Sequence, residues 1–207
     1  MKTIAIIGQK GGTGKSTIAQ MLAVAFTEGG FLTLGVDLDP QTSFCTWSDL
    51  READEPAVID TQHSRLAKTL DGAREQGVQV AIIDTAGRAE QAAMAAVKAA
   101  DLVLIPVQPT GADLLTVEAT KELVTLAGSP PHVAVITRVK PRGSRHDQAR
   151  EFLTGLGIET CPQIIGDRVT YQDAGAAGLA PQEYDRAGKA AEESIGLYTY
   201  TRKKLGM

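Results

Sequence analysis

The sequence predicts an α/β fold: a doubly wound, mainly parallel sheet with helices on both faces. Three observations carry that prediction. Short apolar runs at 4–7, 31–36, 78–84, 102–107 and 132–138 alternate with longer stretches that suit helices. The runs are apolar throughout rather than at every second residue, as in strands covered on both faces. Two of them end in aspartates and the first in a glycine-rich stretch, and strand carboxyl ends are where an open parallel sheet binds its ligands.

Composition sets the bounds. The chain has 207 residues, 43% of them hydrophobic and 22% charged, with nothing resembling a linker, so one compact domain over 1–207 is expected. No apolar run approaches the roughly 20 residues that span a bilayer, and the N-terminus carries no signal-peptide pattern, so a cytoplasmic location is expected. Cys45 and Cys161 lie far apart without C-x-x-C spacing and read as structural thiols. The net charge of −4 excludes a surface that is basic all over. The distribution is nonetheless uneven. Arg138, Lys140, Arg142, Arg145 and Arg150 stand against one acid, Asp147, and Arg202, Lys203 and Lys204 lie near the end of the sequence. Acids gather at Asp49, Glu52, Asp54 and Glu55.

The first element is Ile4-Ala5-Ile6-Ile7, followed by Gln9-Lys10-Gly11-Gly12-Thr13-Gly14-Lys15-Ser16-Thr17 and then a segment with Ile18, Met21, Leu22 and Ala25 on one face. That is strand, loop, helix, the context of a P-loop. Gly11, Gly12 and Gly14 permit backbone conformations that turn successive N–H groups, including those of Thr13 and Thr17, around a phosphate. The helix start adds unpaired N–H groups and the positive end of its dipole. Lys15 can reach the outer phosphates, and the Ser16 hydroxyl is placed to ligate Mg²⁺, so a triphosphate is the expected ligand. The usual pattern G-x-x-x-x-G-K-[ST] has glycine where this chain has Gln9, and a second lysine, Lys10, follows it.

The second strand, 31–36, follows Gly29-Gly30 and leads into Asp37-Leu38-Asp39-Pro40-Gln41. Two carboxylates at alternate positions of a strand end suit a phosphate site, although an Asp-Pro turn accounts for them equally. A helix over 43–52 carries Phe44 and Trp47, and Trp47, with no aromatic companions for base stacking, belongs to the core or an interface. Val58-Ile59 reads as a short edge strand and 64–75 as a helix ended by Gly77. The strand 78–84 ends in Asp84, the position of a Walker B carboxylate acting on Mg²⁺ directly or through water. Gly87 would let backbone approach the γ-phosphate, making 84–90 a switch between ATP and ADP. An alanine-rich helix over 92–99, a strand over 102–107 and a helix over 114–126 follow, the last with Asp113 as its cap and Ser129-Pro130-Pro131 as its end. The strand 132–138 is the last buried one. A basic loop, a helix over 145–156 and a closing helix over 186–204 with Ile195, Tyr198 and Leu205 on its apolar side complete the chain.

The form K-G-G-x-G-K-[ST] at 10–16, D-x-D-P-Q at 37–41 and the apolar strand ending in Asp84 together resemble the ParA/MinD family of deviant Walker P-loop NTPases. The resemblance spans almost the whole chain and loosens after Arg138. It implies an ATPase using ATP and Mg²⁺, with Lys10 reaching the partner's nucleotide across a homodimer interface. It further implies that Asp39 positions the attacking water and Asp37 supports the Mg²⁺ shell. Thr137 and Arg138 fall where the family contacts adenine, and Arg168 lies in a segment that closes over the base. A small ParA-type partition ATPase without a helix-turn-helix extension is expected, driving a plasmid, chromosome region or other cargo. It would bind DNA without sequence preference and be stimulated by a ParB-like cargo-bound partner, which places it on the nucleoid. Arg142, Arg145, Arg202, Lys203 and Lys204 are the cations that would meet phosphates.

Two other readings stay open. A MinD-like membrane switch needs a terminal amphipathic helix, and 195–205 has a thin apolar face interrupted by Gly196, which makes a membrane partner unlike this chain. A metabolic relative with an iron-sulfur cluster needs cysteines at the switch loops, where neither Cys45 nor Cys161 lies, and an amidoligase needs room for a further substrate pocket.

Overall fold

The computed structural model describes residues 1–87 and 89–207. The strands are β1 (Lys2–Ile6), β2 (Thr33–Asp37), β3 (Ala57–Asp60), β4 (Val80–Asp84), β5 (Leu102–Val107), β6 (His132–Ile136) and β7 (Glu159–Thr160). The helices are α1 (Lys15–Glu28), α2 (Ser43–Asp49), α3 (Leu66–Glu75), α4 (Glu90–Ala99), α5 (Gly111–Leu126), α6 (Arg145–Gly155), α7 (Thr170–Ala176), α8 (Pro181–Tyr184) and α9 (Lys189–Lys204).

The strands form one sheet in the order β3-β2-β4-β1-β5-β6-β7, with every observed pairing parallel. β1, β2, β4 and β5 are buried along nearly their whole length, as their unbroken apolar runs require. One face of the sheet packs Ile4, Ile6 and Ile82 against Met21, Leu22 and Phe26 of α1, with Leu197 of α9 in the same cluster. The other packs Ala5, Ile83 and Val103 against α3, α4 and α5 through Leu70, Val97 and Val124. Each large apolar side chain so enclosed contributes roughly 1.5–3 kcal/mol over its exposed state. β1 lies between β4 and β5, where the chain crosses from one half of the sheet to the other, so its carboxyl end opens at the switch point of the topology.

A two-residue strand, β7, which is not buried and is too short to leave a hydrophobic pattern, extends the sheet beyond β6. Two expectations need correction. Ile195 is 52% exposed rather than on the inner side of α9, whose buried residues are Ala190, Ala191, Glu193, Ser194, Leu197 and Thr201. Asp113 does not cap the helix of 114–126. That helix begins at Gly111, and the Thr110 side chain accepts the Asp113 N–H as its cap. Trp47 is 2% exposed and donates its indole N–H to the Leu179 carbonyl, a core role as expected.

Candidate functional site

The loop between β1 and α1 carries the glycine-rich motif. Gly12 and Gly14 have φ of 76° and 96°, the left-handed region that a side chain resists, so the glycine spacing answers a backbone need. Gly87 meets a second need. A Cβ there would lie 2.9 Å from the Gly11 nitrogen and from the Lys10 carbonyl carbon, so only glycine lets the loop after β4 touch the phosphate loop. The expected switch over 84–90 includes Arg88, which lies outside the described residues; Gly87 is its point of contact with the P-loop.

Lys15 is buried, and its Nζ donates to the Lys10 carbonyl at 2.9 Å. Burial pulls its pKa down, opposed by the carboxylates of Asp84 and Asp39. Lys10 points elsewhere. Its Nζ donates to Asp113 Oδ2 at 2.7 Å, with the lysine side chain 41% exposed and the aspartate 1%. The two lysines of the motif therefore occupy different positions, one inside the loop and one on its rim.

Parallel pairing puts the carboxylates level. Asp84 at the end of β4 is in register with Ile6 of β1 on one side and Asp37 of β2 on the other. Asp84 is fully buried, and among the described residues neither of its oxygens has a hydrogen-bond partner. Burial, with Asp37 and Asp39 adding to it, pushes its pKa up to about 7, while the Ser16 hydroxyl and Lys15 draw it back down. A buried, unpartnered carboxylate beside a hydroxyl and a lysine fits a bound cation. Among the described residues no three His, Cys, Asp or Glu side chains gather as a metal site, so the set suits Mg²⁺ that takes its remaining ligands from phosphate and water.

Asp37, expected to support the Mg²⁺ shell indirectly, also has a local role in the backbone. Its Oδ1 accepts the Asp39 N–H at 2.9 Å, and its Oδ2 accepts the N–H groups of Phe44 and Cys45 at 2.9 and 3.2 Å. The carboxylate holds the start of α2 and the turn bearing Asp39, and its oxygens are committed to backbone. Burial still raises its pKa against those three N–H groups. Asp39 is half-buried, and among the described residues its carboxylate accepts only the Gln41 N–H, at 2.9 Å.

A cavity of about 310 Å³ opens beside Gly14 and Thr17 and includes Thr137, Arg138, Gly166 and Arg168 in its wall. The Thr137 hydroxyl donates to the Thr13 carbonyl at 2.8 Å, tying the end of β6 to the phosphate loop. Arg138 follows with φ of 50°, a conformation uncommon outside glycine. Thus the residues expected at the base, from two distant stretches, line one cavity. Arg168 is not loose in it: its guanidinium donates to Glu193 Oε1 at 3.0 and 2.6 Å. The sequence reading missed Glu193, because a small-residue helix face with one acid reads as solvated.

The expected DNA cations divide. Arg142 and Arg145 line a second cavity of about 380 Å³ with Arg138 and Lys140, beyond the carboxyl end of β6. Arg202 stacks over Phe31 just before β2, and Lys204 pairs with Glu159 at the start of β7. That places the 202–204 cluster at the amino ends of the strands, opposite to Arg142 and Arg145, so the two clusters form no common surface on one chain.

Residues 4–181 match the model of the CobQ/CobB/MinD/ParA nucleotide-binding domain. The chain belongs to that family. It is an ATPase of the ParA/MinD type. It is 30% identical over 207 residues to the maintenance of carboxysome distribution protein A of Gloeobacter kilaueensis, covering 99% of this chain and 94% of that one. It is 28% identical over 180 residues to the protein ParA of Rhizobium radiobacter, covering 83% of this chain and 81% of that protein. In fold it is similar to MinD of Pyrococcus horikoshii, solved with Mg-ADP: TM-score 0.83 at 17% identity, over 99% of this chain and 97% of that one. Among the described residues no helix is long and apolar enough to cross a membrane.

Proposed function

We propose that the chain, as a single domain over 1–207, is a ParA-like partition or positioning ATPase of the cytoplasm that works as an ATP-dependent homodimer on DNA. The observation that carries this reading is Lys10. A second P-loop lysine, held on the rim by Asp113 with its side chain partly in solvent, would leave its own loop and meet a phosphate brought by a second copy. Lys15, Ser16 and the N–H groups of 11–17 would hold the triphosphate, Ser16 and Asp84 would hold Mg²⁺, and Asp39 would orient the attacking water. Bound Mg²⁺ supplies charge neutralisation on the phosphates. Gly87, pressed on the backbone of residues 10–11, would relay the presence of the γ-phosphate to the loop after β4.

Arg142 and Arg145, grouped with Arg138 and Lys140 at the nucleotide end, are the cations that dimerisation would double into a surface for duplex phosphates. Arg202 and Lys204 have aromatic or acidic partners at the far end and contribute less. A ParB-like partner on the cargo would stimulate hydrolysis and release the DNA. Light scattering and duplex binding test the reading together. A non-hydrolysable ATP analogue should give a dimer with salt-sensitive, sequence-independent DNA binding, ADP neither, and Lys10→Ala should lose both while still binding ATP. Reversing the charge of Arg142 and Arg145 should remove DNA binding and keep the dimer, whereas reversing Arg202 and Lys203 should leave most of it. Loss with only the second pair would move the DNA surface to the amino ends of the strands, and a dimer that survives Lys10→Ala would end the cross-interface role.

A further inference from the structure

Glu193 is a carboxylate in the middle of α9, on the face that packs inward, and only 8% exposed. A charge in that position is costly unless donors surround it. Four hydrogen bonds reach it, and none comes from α9. The Gly166 N–H donates to Oε2 at 2.9 Å and the Tyr171 hydroxyl to the same oxygen at 2.5 Å. Arg168 donates to Oε1 through Nε at 3.0 Å and Nη2 at 2.6 Å. All three donor residues belong to the stretch 166–171, and all three line the cavity beside the phosphate loop.

Residues 166–169 of this stretch connect β7 to α7, and Tyr171 stands in the first turn of α7. The connection is joined to the sheet by the bridge between Gly166 and Val139, which includes the Asp167 N–H to the Val139 carbonyl, and the Tyr171 ring packs against the core. Those contacts fix the start of the stretch and its last ring, and leave the Arg168 guanidinium and the Tyr171 hydroxyl to be placed. Arg168 and Tyr171, further along, are tied by the carboxylate alone among the side-chain bonds of the described residues. The helix that carries the carboxylate is itself anchored to the phosphate-loop helix: the adjacent Ser194 hydroxyl donates to Gln182 Oε1 at 2.7 Å, and Gln182 Nε2 donates to the Met21 carbonyl at 3.0 Å. Two neighbouring residues of α9 thus set the distance between α1 and the far wall of the cavity.

We propose that Glu193 is the positioning residue of the nucleoside end of the site: it holds the wall formed by Gly166, Arg168 and Tyr171 at the spacing from the phosphate loop that a base and ribose require. The proposal rests on the reading of the cavity as the nucleoside end of an ATP site. It makes Arg168 a structural cation, neutralised by Glu193, rather than a group that meets the base directly. A wall held in advance spares a ligand the ordering of the loop, and that saving applies only to ligands long enough to touch it. Phosphates bound at 11–16 do not reach it.

The test compares Mg²⁺–ATP with Mg²⁺–tripolyphosphate, which carries the phosphates and lacks the nucleoside, by titration calorimetry on the whole chain. Glu193→Ala should weaken ATP about tenfold and change tripolyphosphate by less than twofold. Glu193→Gln, which keeps an acceptor, should weaken ATP about threefold. Tyr171→Phe, which removes one of the four bonds and no charge, should weaken ATP two- to threefold and decides the matter should Glu193→Ala fail to fold. Unchanged ATP affinity in Glu193→Gln and Tyr171→Phe, or an equal loss for both ligands, overturns the proposal. If the unaltered chain binds ATP no more tightly than tripolyphosphate, the reading of the cavity as the nucleoside end fails instead, a result that does not depend on the Glu193 variants.

Discussion

The two ends of the proposed nucleotide site, the phosphate loop and the cavity beside it, are built on opposite terms. At the phosphate end, buried groups lack partners: both oxygens of Asp84 are unsatisfied among the described residues, and Lys15 folds back on a carbonyl of its own loop. At the nucleoside end, the buried charge of Glu193 is met by four donors. The difference teaches where each end draws its order from. Unpaired charge at the first end is a standing cost that a cation and phosphates remove on binding, whereas the second end is complete before any ligand arrives.

The largest expected effect tests the first end. Lys15→Ala removes the buried cation and should weaken ATP by about a hundredfold or more in calorimetry, since a charge-assisted contact in a buried site is worth on the order of 3 kcal/mol. Binding within tenfold of the unaltered chain would leave the loop's N–H groups as the main phosphate holders. Next comes a separation of binding from turnover. Asp39→Ala should keep ATP affinity within about threefold while phosphate release falls on the order of a hundredfold, if its proposed role is to orient the attacking water rather than to hold the bound phosphates. Turnover at the unaltered rate would remove it from the chemistry.

The smallest effect probes the standing cost itself. Asp84 has its pKa raised from 3.8 to about 7 by burial, so the folded nucleotide-free chain holds its proton where the unfolded chain has lost it. Its contribution to stability is therefore present below about pH 4 and is lost as pH rises towards about 7. Asp84→Asn abolishes that titration and should raise the thermal midpoint of the nucleotide-free chain at pH 8, by roughly 4–8 °C if the charge costs about 2 kcal/mol. At pH 5 the two proteins should melt closer together. A gap that does not depend on pH would mean that Asp84 is already paired in solution, and the contrast between the two ends would narrow.

Much of the first end was legible in the sequence, and little of the second. The phosphate loop is a contiguous run, and its glycines, Lys15 and Ser16 announce their chemistry because the loop's shape depends on residues within a few positions of one another. Asp37, Asp39 and Asp84 stand out by their place at the ends of apolar runs, which a parallel sheet turns into one rim with Asp37 and Asp84 in register. The hold of Asp37 on the N–H groups of residues 39, 44 and 45 was not legible, because only the path of the turn brings them to its oxygens.

By itself, then, the sequence determined the α/β class, the parallel sheet and the phosphate site, since apolar periodicity and glycine-rich turn chemistry are local properties. Tertiary structure decided what depends on distance across the fold. It parked Lys10 on Asp113, 103 positions away, sent the two basic clusters to opposite ends of the strands, and set Glu193 against a loop more than 20 residues before it. A hydrogen bond between remote side chains leaves no periodicity, and a buried carboxylate is written with the same letter as a solvated one.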